Sequence, residues 1–250
     1  MTLQEFFLQH PRLALGLSGG VDSAYLLMEA VRCGCQIQPY FVDSPFQPRF
    51  ELEDARKVCE KAGVSLNVLK ADPLNQENVR QNRPLRCYYC KQQVFGAIIK
   101  AAKVDGFSEI IDGTNASDDA QDRPGMKALY EMQIYSPLRL CGISKAEVRE
   151  NAKKLDLFLW NKPAYACLAT RIPTNTPITK QALKQVEQAE DALFRLGFSD
   201  FRVRLCGKTA KIQLPHAQMC LAVERYAEII KELKPMFESV VLDLEPRGEE

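Results

Sequence analysis

Four short apolar runs, each separated from the next by a segment with helical periodicity, constrain the fold of this chain most strongly. The runs cover residues 13–17, 37–42, 66–69 and 109–111. Such alternation of strands and helices predicts a doubly wound α/β fold, with a mostly parallel sheet covered by helices on both faces. The carboxyl ends of the parallel strands then share one edge, where ligands bind in folds of this kind.

Local signals place two of the helices. Apolar residues within 52–62 fall on one helical stripe and Gly63 follows them, which predicts a helix that stops at this glycine. Ser144 and Glu147 have the spacing of a capping box, in which each residue satisfies a free backbone amide of the other. A second helix is therefore expected to begin after Ser144.

The texture of the sequence changes after Pro173, where prolines and threonines cluster. A long helix, a pair of short strands, a second helix and a last strand are predicted beyond that point. We therefore expect a larger domain over residues 1–173 and a smaller α+β domain over residues 174–250.

Charge and cysteine content limit the class of function. The chain has 33 lysines and arginines against 32 aspartates and glutamates, which argues against nucleic acid as a partner. No segment approaches the roughly 20 apolar residues of a membrane span, and residues 1–12 lack a basic leader, so a cytoplasmic location without membrane attachment is expected. Nine cysteines, an odd number, favour metal or redox chemistry over a complete disulfide framework.

Residues 18–23, Ser-Gly-Gly-Val-Asp-Ser, follow the first apolar run directly. A strand that ends in Gly-Gly and runs into a helix at Ser23 presents backbone amides at a helix N-terminus, which suits phosphate. Glycines let the backbone approach a ligand closely, and serine hydroxyls add donors. The stretch is neither a Walker A loop nor a Gly-x-Gly-x-x-Gly fingerprint. A glycine turn at this place can also be purely structural.

The full 18–23 string resembles the pyrophosphate loop of the ATP pyrophosphatase superfamily, whose sheet is of the adenine-nucleotide-hydrolase-like type and whose members split ATP between its α- and β-phosphates. Four further stretches narrow the resemblance to the LarE family of ATP-dependent sulfur transferases. They are residues 43–55 (DSPFQPRFELEDA), 86–91 (RCYYCK), 112–129 (DGTNASDDAQDRPGMKAL) and 161–179 (NKPAYACLATRIPTNTPIT).

The LarE resemblance implies a reaction and its participants. A carboxylate of pyridinium-3,5-biscarboxylic acid mononucleotide is adenylated, pyrophosphate leaves, and sulfur replaces oxygen to give a thiocarboxylate of the nickel-pincer nucleotide used by lactate racemase. ATP is needed because oxide is a poor leaving group from a carboxylate, whereas AMP is a good one. The resemblance also implies a sulfide source, proteins that act before and after this step, and self-association.

Cys87 and Cys90 form a Cys-x-x-Cys pair, and Cys167 follows much later. The pair alone is also compatible with half a zinc site or a redox dithiol. Three thiolates suit a four-iron four-sulfur cluster that leaves one iron without a protein ligand. LarE-like proteins use either a lone sacrificial cysteine, matching Cys167, or three cysteines that hold such a cluster, and the resemblance therefore implies the cluster type here. The other cysteines are predicted to be buried small hydrophobes, namely Cys33, Cys35, Cys59, Cys141, Cys206 and Cys220.

Several polar residues are candidates for substrate binding or catalysis. Arg202 and Arg204 share one face of a predicted strand, where they either cover its wet side or clamp a phosphate, the role that the LarE resemblance implies. Glu190 lies on an apolar helical stripe, so it is either a structural ion pair or a catalytic carboxylate. Arg171 either binds substrate, supports the cluster region or forms a buried salt bridge.

The nucleotide is expected at the carboxyl edge of the sheet, against the 18–23 loop. Asp22, Asp112 and Asp118 are candidates for Mg²⁺, although Asp118 is equally well an exposed loop carboxylate. Asp43 and Ser44 end the second strand at the same edge and are candidate nucleotide contacts. Ser18, Gly19, Gly20, Asp22 and Ser23 complete the expected nucleotide site.

Two rival functions compete with sulfur transfer to a mononucleotide. Other pyrophosphate-loop enzymes thiolate tRNA with ATP and a three-cysteine cluster, but the near-neutral charge counts against that role. A metal-storage or redox-sensing module on a degenerate nucleotide fold is the second rival. The intact 18–23 string disfavours it.

Overall fold

The structure, a computed structural model, describes residues 1–118 and 124–248, so residues 119–123 of the stretch 112–129 lie outside it. The chain divides into two compact units. The first unit consists of Met1–Val79 and Pro84–Lys162, and the second of Arg80–Arg83 and Pro163–Glu250. The long part of the second unit therefore begins at Pro163, ahead of the change of composition after residue 173. Residues 164 and 170 accept hydrogen bonds from β-strand arginines of this same unit.

The first unit is built on a parallel four-stranded sheet with the order β3-β2-β1-β4. The strands are β1 (Arg12–Gly16), β2 (Gln36–Asp43), β3 (Asn67–Lys70) and β4 (Ile110–Ile111). Tyr135 extends the sheet through a bridge to Ile111. The four predicted apolar runs correspond to these four strands, which confirms the α/β fold.

Helices cover the sheet of the first unit, because alternate residues of β1 belong to different apolar clusters. Leu13 and Leu15 pack in a cluster with residues of the helices 21–32 and 49–62, whereas Ala14 packs in another with residues of the helix 86–104. The helices of this unit are α1 (Leu3–Gln9), α2 (Val21–Arg32), α3 (Arg49–Ala62), α4 (Glu77–Arg80, at its boundary), α5 (Arg86–Val104), α6 (Pro124–Glu131), α7 (Pro137–Leu140) and α8 (Lys145–Lys154).

Both local helix signals are confirmed. Helix α3 ends at Gly63, whose φ of 68° is the left-handed conformation that glycine adopts without strain. Helix α8 begins after Ser144, whose side chain accepts the Glu147 amide while the Glu147 carboxylate accepts the Ser144 amide. Helix α2 begins at Val21, two residues before the predicted position, because Gly20 is already its extended N-cap.

The second unit is a smaller α+β structure. Its sheet has the order β5-β6-β7, in which β5 and β6 form an antiparallel hairpin and β7 lies parallel to β6. The elements are α9 (Lys180–Arg195), β5 (Arg202–Cys206), β6 (Thr209–Gln213), α10 (Met219–Glu224), α11 (Tyr226–Leu233) and β7 (Ser239–Leu242). Leu193, Phe198 and Phe201 contribute to one apolar core shared by these elements.

The segment Arg80–Arg83 joins the second unit through backbone geometry. Asn82 is buried in a left-handed conformation (φ 53°), and its side-chain amide donates to the carbonyl oxygens of Ile172 (3.2 Å) and Pro173 (2.8 Å). The Asn82 carbonyl accepts the amide of Asn175. Within the described residues, none of the helices is both long enough and apolar enough to cross a membrane.

Candidate functional site

The 18–23 loop connects β1 to α2, and Gly19 determines its path. The φ of Gly19 is +80°, a conformation that L side chains rarely adopt. A Cβ at this position would lie 2.9 Å from the carbonyl carbon of Glu51 and closer still to its oxygen. The loop therefore passes directly beneath the first turn of α3, and only glycine fits there.

Serine hydroxyls hold the 18–23 loop in shape. The Ser23 hydroxyl accepts the Ser18 amide at 3.1 Å and donates to the Gly20 carbonyl at 3.3 Å. The Gly20 amide donates to the Ser18 hydroxyl at 3.3 Å, and the two hydroxyls are 3.1 Å apart. Ser23 is 2 % exposed, so its hydroxyl supports the loop from within. The first-turn amides of α2 and its dipole remain the features that suit a phosphate.

Asp22 and Asp118 meet at Asn115. The Asn115 side-chain amide donates to Asp22 Oδ1 at 3.2 Å, and the Asn115 backbone amide donates to Asp118 Oδ2 at 3.1 Å. The second oxygen of Asp22 accepts a hydrogen bond from the ammonium of Lys145, at the start of α8. Two of the three predicted Mg²⁺ carboxylates thus share one neighbour, and a cation already pairs with one of them.

Asp112, the third predicted Mg²⁺ carboxylate, is 4 % exposed and is bonded on both oxygens. It accepts the hydroxyls of Thr114 (2.6 Å) and Ser136 (2.7 Å), and the Lys91 ammonium lies 3.8 Å away. These bonds stabilise the turn that follows β4. In this arrangement Asp112 shapes the carboxyl edge of the sheet.

Asp43 and Ser44 lie where predicted, at the carboxyl end of β2. Asp43 is exposed, whereas Ser44 is 8 % exposed and its hydroxyl accepts the Phe46 amide at 3.3 Å. Because β1 and β2 are parallel neighbours, these residues and the 18–23 loop lie at the same edge of the sheet.

Cys87 and Cys90 both lie in the first turn and a half of α5, three residues apart, so they share one face of the helix. Cys87 is exposed and Cys90 is half-buried. An Arg86 Nη2 lies 3.7 Å from the Cys87 sulfur. Across residues 1–118 and 124–248, no three histidine, cysteine, aspartate or glutamate side chains are grouped in a way that could hold a metal ion.

The prediction that the remaining cysteines are buried is correct for Cys35 and Cys59. Cys33 and Cys141 are only half-buried, and the prediction is wrong for Cys206 and Cys220, which are exposed. Cys206 ends β5 next to the hairpin turn, and its side chain is exposed there. Cys220 lies near the start of α10 on its solvent side.

Glu190 and Arg171 form a buried ion pair in the second unit. The Arg171 guanidinium donates to both Glu190 oxygens, at 2.7 Å and 3.0 Å, and the two side chains are 0 % and 1 % exposed. The Glu190 carboxylate also accepts the Val203 amide (2.8 Å) and the Tyr165 hydroxyl. Burial alone would lower the pKa of Arg171, but the hydrogen bonds and charge of Glu190 raise it above its usual value. The structure therefore contains the buried ion pair, which was one of the alternatives that the sequence left open for Glu190 and for Arg171.

Arg202 and Arg204 occupy one face of β5, as predicted, opposite Gln213 and Lys211 of β6. Arg202 is 5 % exposed and donates to the Ala164 carbonyl at 2.7 Å. Arg204 is half-buried; its Nε donates to the Gln213 side chain.

The hydrogen bond between Arg204 and the Thr170 carbonyl, at 2.8 Å, adds a role that sequence reasoning missed. The arginine pair therefore holds the loop that carries Cys167. Lys145, Asn115 and Thr170 were likewise missed, because each acts through a partner distant in sequence or through its backbone.

Comparison with known proteins identifies the family. The family model described as "Thiamine biosynthesis protein (ThiI)" matches residues 7–194. The pyridinium-3,5-bisthiocarboxylic acid mononucleotide synthase of Lactiplantibacillus plantarum is 30% identical, with 93% of this chain and 86% of that protein covered. The chain belongs to the LarE family, within the ThiI-type pyrophosphate-loop proteins.

Two other relatives place this family member in context. An uncharacterized protein of Synechocystis is 34% identical over 98% of this chain and 92% of its own length. A tRNA-specific 2-thiouridylase of Clostridium botulinum is 29% identical, but only 60% of this chain and 52% of that enzyme are covered. As a LarE-family member, the protein is an ATP-dependent sulfurtransferase that uses ATP with Mg²⁺.

Proposed function

We propose that this protein converts pyridinium-3,5-biscarboxylic acid mononucleotide into its thiocarboxylate forms. One observation carries the proposal: the 18–23 loop passes under α3 with Gly19 in a left-handed conformation and Gly20 as the N-cap of α2. This geometry offers backbone amides to a polyphosphate. The substrate is inferred from the name of the L. plantarum relative, which is a synthase of the bisthiocarboxylic acid mononucleotide.

The first chemical step is adenylation. An oxygen of the substrate carboxylate attacks the α-phosphorus of ATP, the bond from that phosphorus to the bridging oxygen breaks, and pyrophosphate leaves. Mg²⁺, when bound, would neutralise the charge of the phosphates. In the second step a sulfur nucleophile attacks the acyl carbon, the bond from carbon to the AMP oxygen breaks, and AMP leaves. The covalent acyl adenylate divides one difficult displacement into two easier ones.

In the proposed site, the 18–23 loop binds the phosphates through Ser18, Gly19 and Gly20, and Ser23 contributes by holding the loop in shape from within. Asp22 is assigned as the main Mg²⁺ ligand. Its carboxylate already pairs with the ammonium of Lys145, and a divalent cation can replace that ammonium as its counter-charge. Asp112 and Asp118 support the same edge, and Asp43 and Ser44 contact the nucleoside.

Substrate binding is assigned to Arg202 and Arg204, which hold the substrate phosphate through charge-assisted hydrogen bonds. Arg204 is the better placed of the two, since it is half-buried whereas Arg202 is almost fully buried. Arg171 and Glu190 serve this part of the site by keeping the Cys167 loop and β5 in place.

The source of the sulfur is a separate part of the proposal. We assign Cys87, Cys90 and Cys167 as ligands of a four-iron four-sulfur cluster, which when bound would supply sulfide from its fourth iron. Cys87 and Cys90 fit as two ligands, because they lie one turn apart on the same helix face and are not buried. Among the described residues, no third ligand is grouped with this pair.

The decisive experiment is a reaction with the proposed substrate. The protein, reconstituted anaerobically with iron and sulfide, is incubated with ATP, Mg²⁺, sulfide and the biscarboxylate mononucleotide. Mass spectrometry is expected to show replacement of oxygen by sulfur, with one AMP released for each exchange. Release of pyrophosphate only when tRNA is added, with binding that weakens steeply as salt rises, would instead favour a tRNA thiolase.

A double substitution separates the two sulfur sources. Cys87→Ala with Cys90→Ala is expected to lose bound iron and to stop after at most one turnover, whereas Cys206→Ala, which removes another exposed thiol, is the matched control. Multiple turnovers in the double variant would refute the cluster, and a single turnover that converts Cys167 to dehydroalanine in the wild-type protein would establish sacrificial donation.

We also propose where the enzyme acts and with which proteins. The enzyme acts in the cytoplasm between a protein that supplies the biscarboxylate nucleotide and one that inserts nickel into the bisthiocarboxylate product, and it associates with copies of itself. Light scattering of the purified protein tests self-association.

A further inference from the structure

The hydrogen bonds of the turn that carries Cys167 converge on a single residue, Thr170. The Thr170 amide and hydroxyl both donate to the Cys167 carbonyl, at 2.9 Å and 2.8 Å. The same hydroxyl accepts a hydrogen bond from Arg171 Nη1 at 2.8 Å, and the Thr170 carbonyl accepts one from Arg204 Nη1 at 2.8 Å. Every polar group of Thr170 therefore contacts either Cys167 or an arginine.

Arg171 is a rigid anchor for this junction. Its Nε and Nη2 donate to the two oxygens of the buried Glu190, and its Nη1 also donates to the Ala166 carbonyl at 3.0 Å. The guanidinium lies over the Tyr165 ring, 4.5 Å from its centroid. A guanidinium fixed on three sides leaves the Thr170 hydroxyl one orientation, with its proton directed at the Cys167 carbonyl.

Arg204 supplies a second, less rigid connection. It is half-buried and lies on the face of β5 to which substrate-phosphate binding is assigned. Its link to the Thr170 carbonyl means that the strand and the Cys167 turn share one residue.

We propose that Thr170 is a positioning residue for Cys167, which transmits the geometry of the buried Arg171–Glu190 pair and of Arg204 to the backbone of the cysteine. The proposal rests on the proposed role of Cys167 in sulfur transfer. Thr170 acts through the Cys167 carbonyl, and so sets where the cysteine backbone lies and how far the turn opens.

The test measures opening of the turn by alkylation of Cys167. The protein, free of iron, ATP and substrate, is treated with iodoacetamide at fixed pH, and labelling of each cysteine is followed by peptide mass spectrometry. Thr170→Val, which keeps the shape but removes the hydroxyl, is expected to raise the Cys167 rate about fivefold, the effect of losing the one hydrogen bond that joins the hydroxyl to the Cys167 carbonyl. The rate of exposed Cys206 serves as an internal reference and is expected to stay constant.

Two further variants make the result specific. Thr170→Ser restores the hydroxyl and is expected to restore the wild-type rate. Thr179→Ala removes another hydroxyl of the second unit, the one that accepts the Ala182 amide at the start of α9, and it is expected to leave the Cys167 rate unchanged.

A wild-type rate in Thr170→Val, an equal rise in Thr179→Ala, or failure of serine to restore the rate would each overturn the proposal. If Thr170→Val does not fold by circular dichroism, Thr170→Ala takes its place with the same expectation. Because labelling needs no turnover, absence of sulfur transfer would refute the proposed function and leave this test intact.

Discussion

Replacing Gly19 by alanine separates two costs that the structure assigns to this position. The first is conformational, since φ of +80° costs an L residue about 1–2 kcal/mol. The second is steric, since the new Cβ would lie within 3.0 Å of three Glu51 backbone atoms, which cannot move without displacing the first turn of α3. Overpacking of this kind costs about 1–3 kcal/mol. Together they predict a loss of about 2–5 kcal/mol in the free energy of unfolding.

Gly34→Ala is the matched control, because Gly34 has a φ of +75° but its added Cβ meets nothing within 4 Å. Gly34→Ala bears the conformational cost alone. The midpoint temperature of Gly19→Ala is therefore expected to be lower than that of Gly34→Ala by about 2–4 °C for each kcal/mol of steric cost. The KM for ATP, measured by substrate-dependent pyrophosphate release, is expected to rise at least tenfold in Gly19→Ala and to stay unchanged in Gly34→Ala. Equal midpoints and equal KM values in the two variants would refute the close passage of the 18–23 loop beneath α3.

Three further predictions concern other parts of the molecule. Glu190→Gln leaves the guanidinium of Arg171 buried without a counter-charge and is expected to cost about 3–5 kcal/mol in chemical denaturation; a loss below 1 kcal/mol would contradict the buried pair. Asp22→Asn removes the charge that pairs with Lys145. It is expected to raise the Mg²⁺ concentration needed for half-maximal pyrophosphate release at least tenfold, with little change in melting temperature. An unchanged Mg²⁺ requirement would argue against Asp22 as a ligand. Burial raises the pKa of Cys59 to about 12, so its thiol stays protonated at pH 8, and alkylation comparable to that of an exposed thiol at this pH would be inconsistent with that burial.

Structural features that depend on residues close together in the sequence could be predicted from it. The parallel strands follow from apolar runs, the end of α3 follows from Gly63, and the start of α8 follows from the Ser144 and Glu147 pair. Each of these signals lies within the element that it defines. The sequence also narrowed Glu190 to two alternatives, because a carboxylate on an apolar stripe must have either a partner or a function.

The partners themselves could not be predicted. Lys145 meets Asp22 across 123 positions of the chain, and no local pattern indicates which carboxylate an ammonium will find. Thr170 is equally invisible in the sequence, because its role depends on backbone carbonyls and on the bonds of an arginine beside it. Exposure of Cys206 and Cys220 was missed for a related reason: apolar neighbours in sequence do not fix which face of an element meets solvent.

The strip Arg80–Arg83 has a practical consequence for dissecting the protein. A fragment cut after Lys162 would carry Asn82 without the carbonyls of Ile172 and Pro173, and the complementary fragment would lack the asparagine that binds them. The second unit therefore cannot be obtained whole from one continuous stretch of the gene that leaves out the first unit. Separate expression of the second unit therefore requires a circularly permuted or co-expressed design that returns these four residues to it.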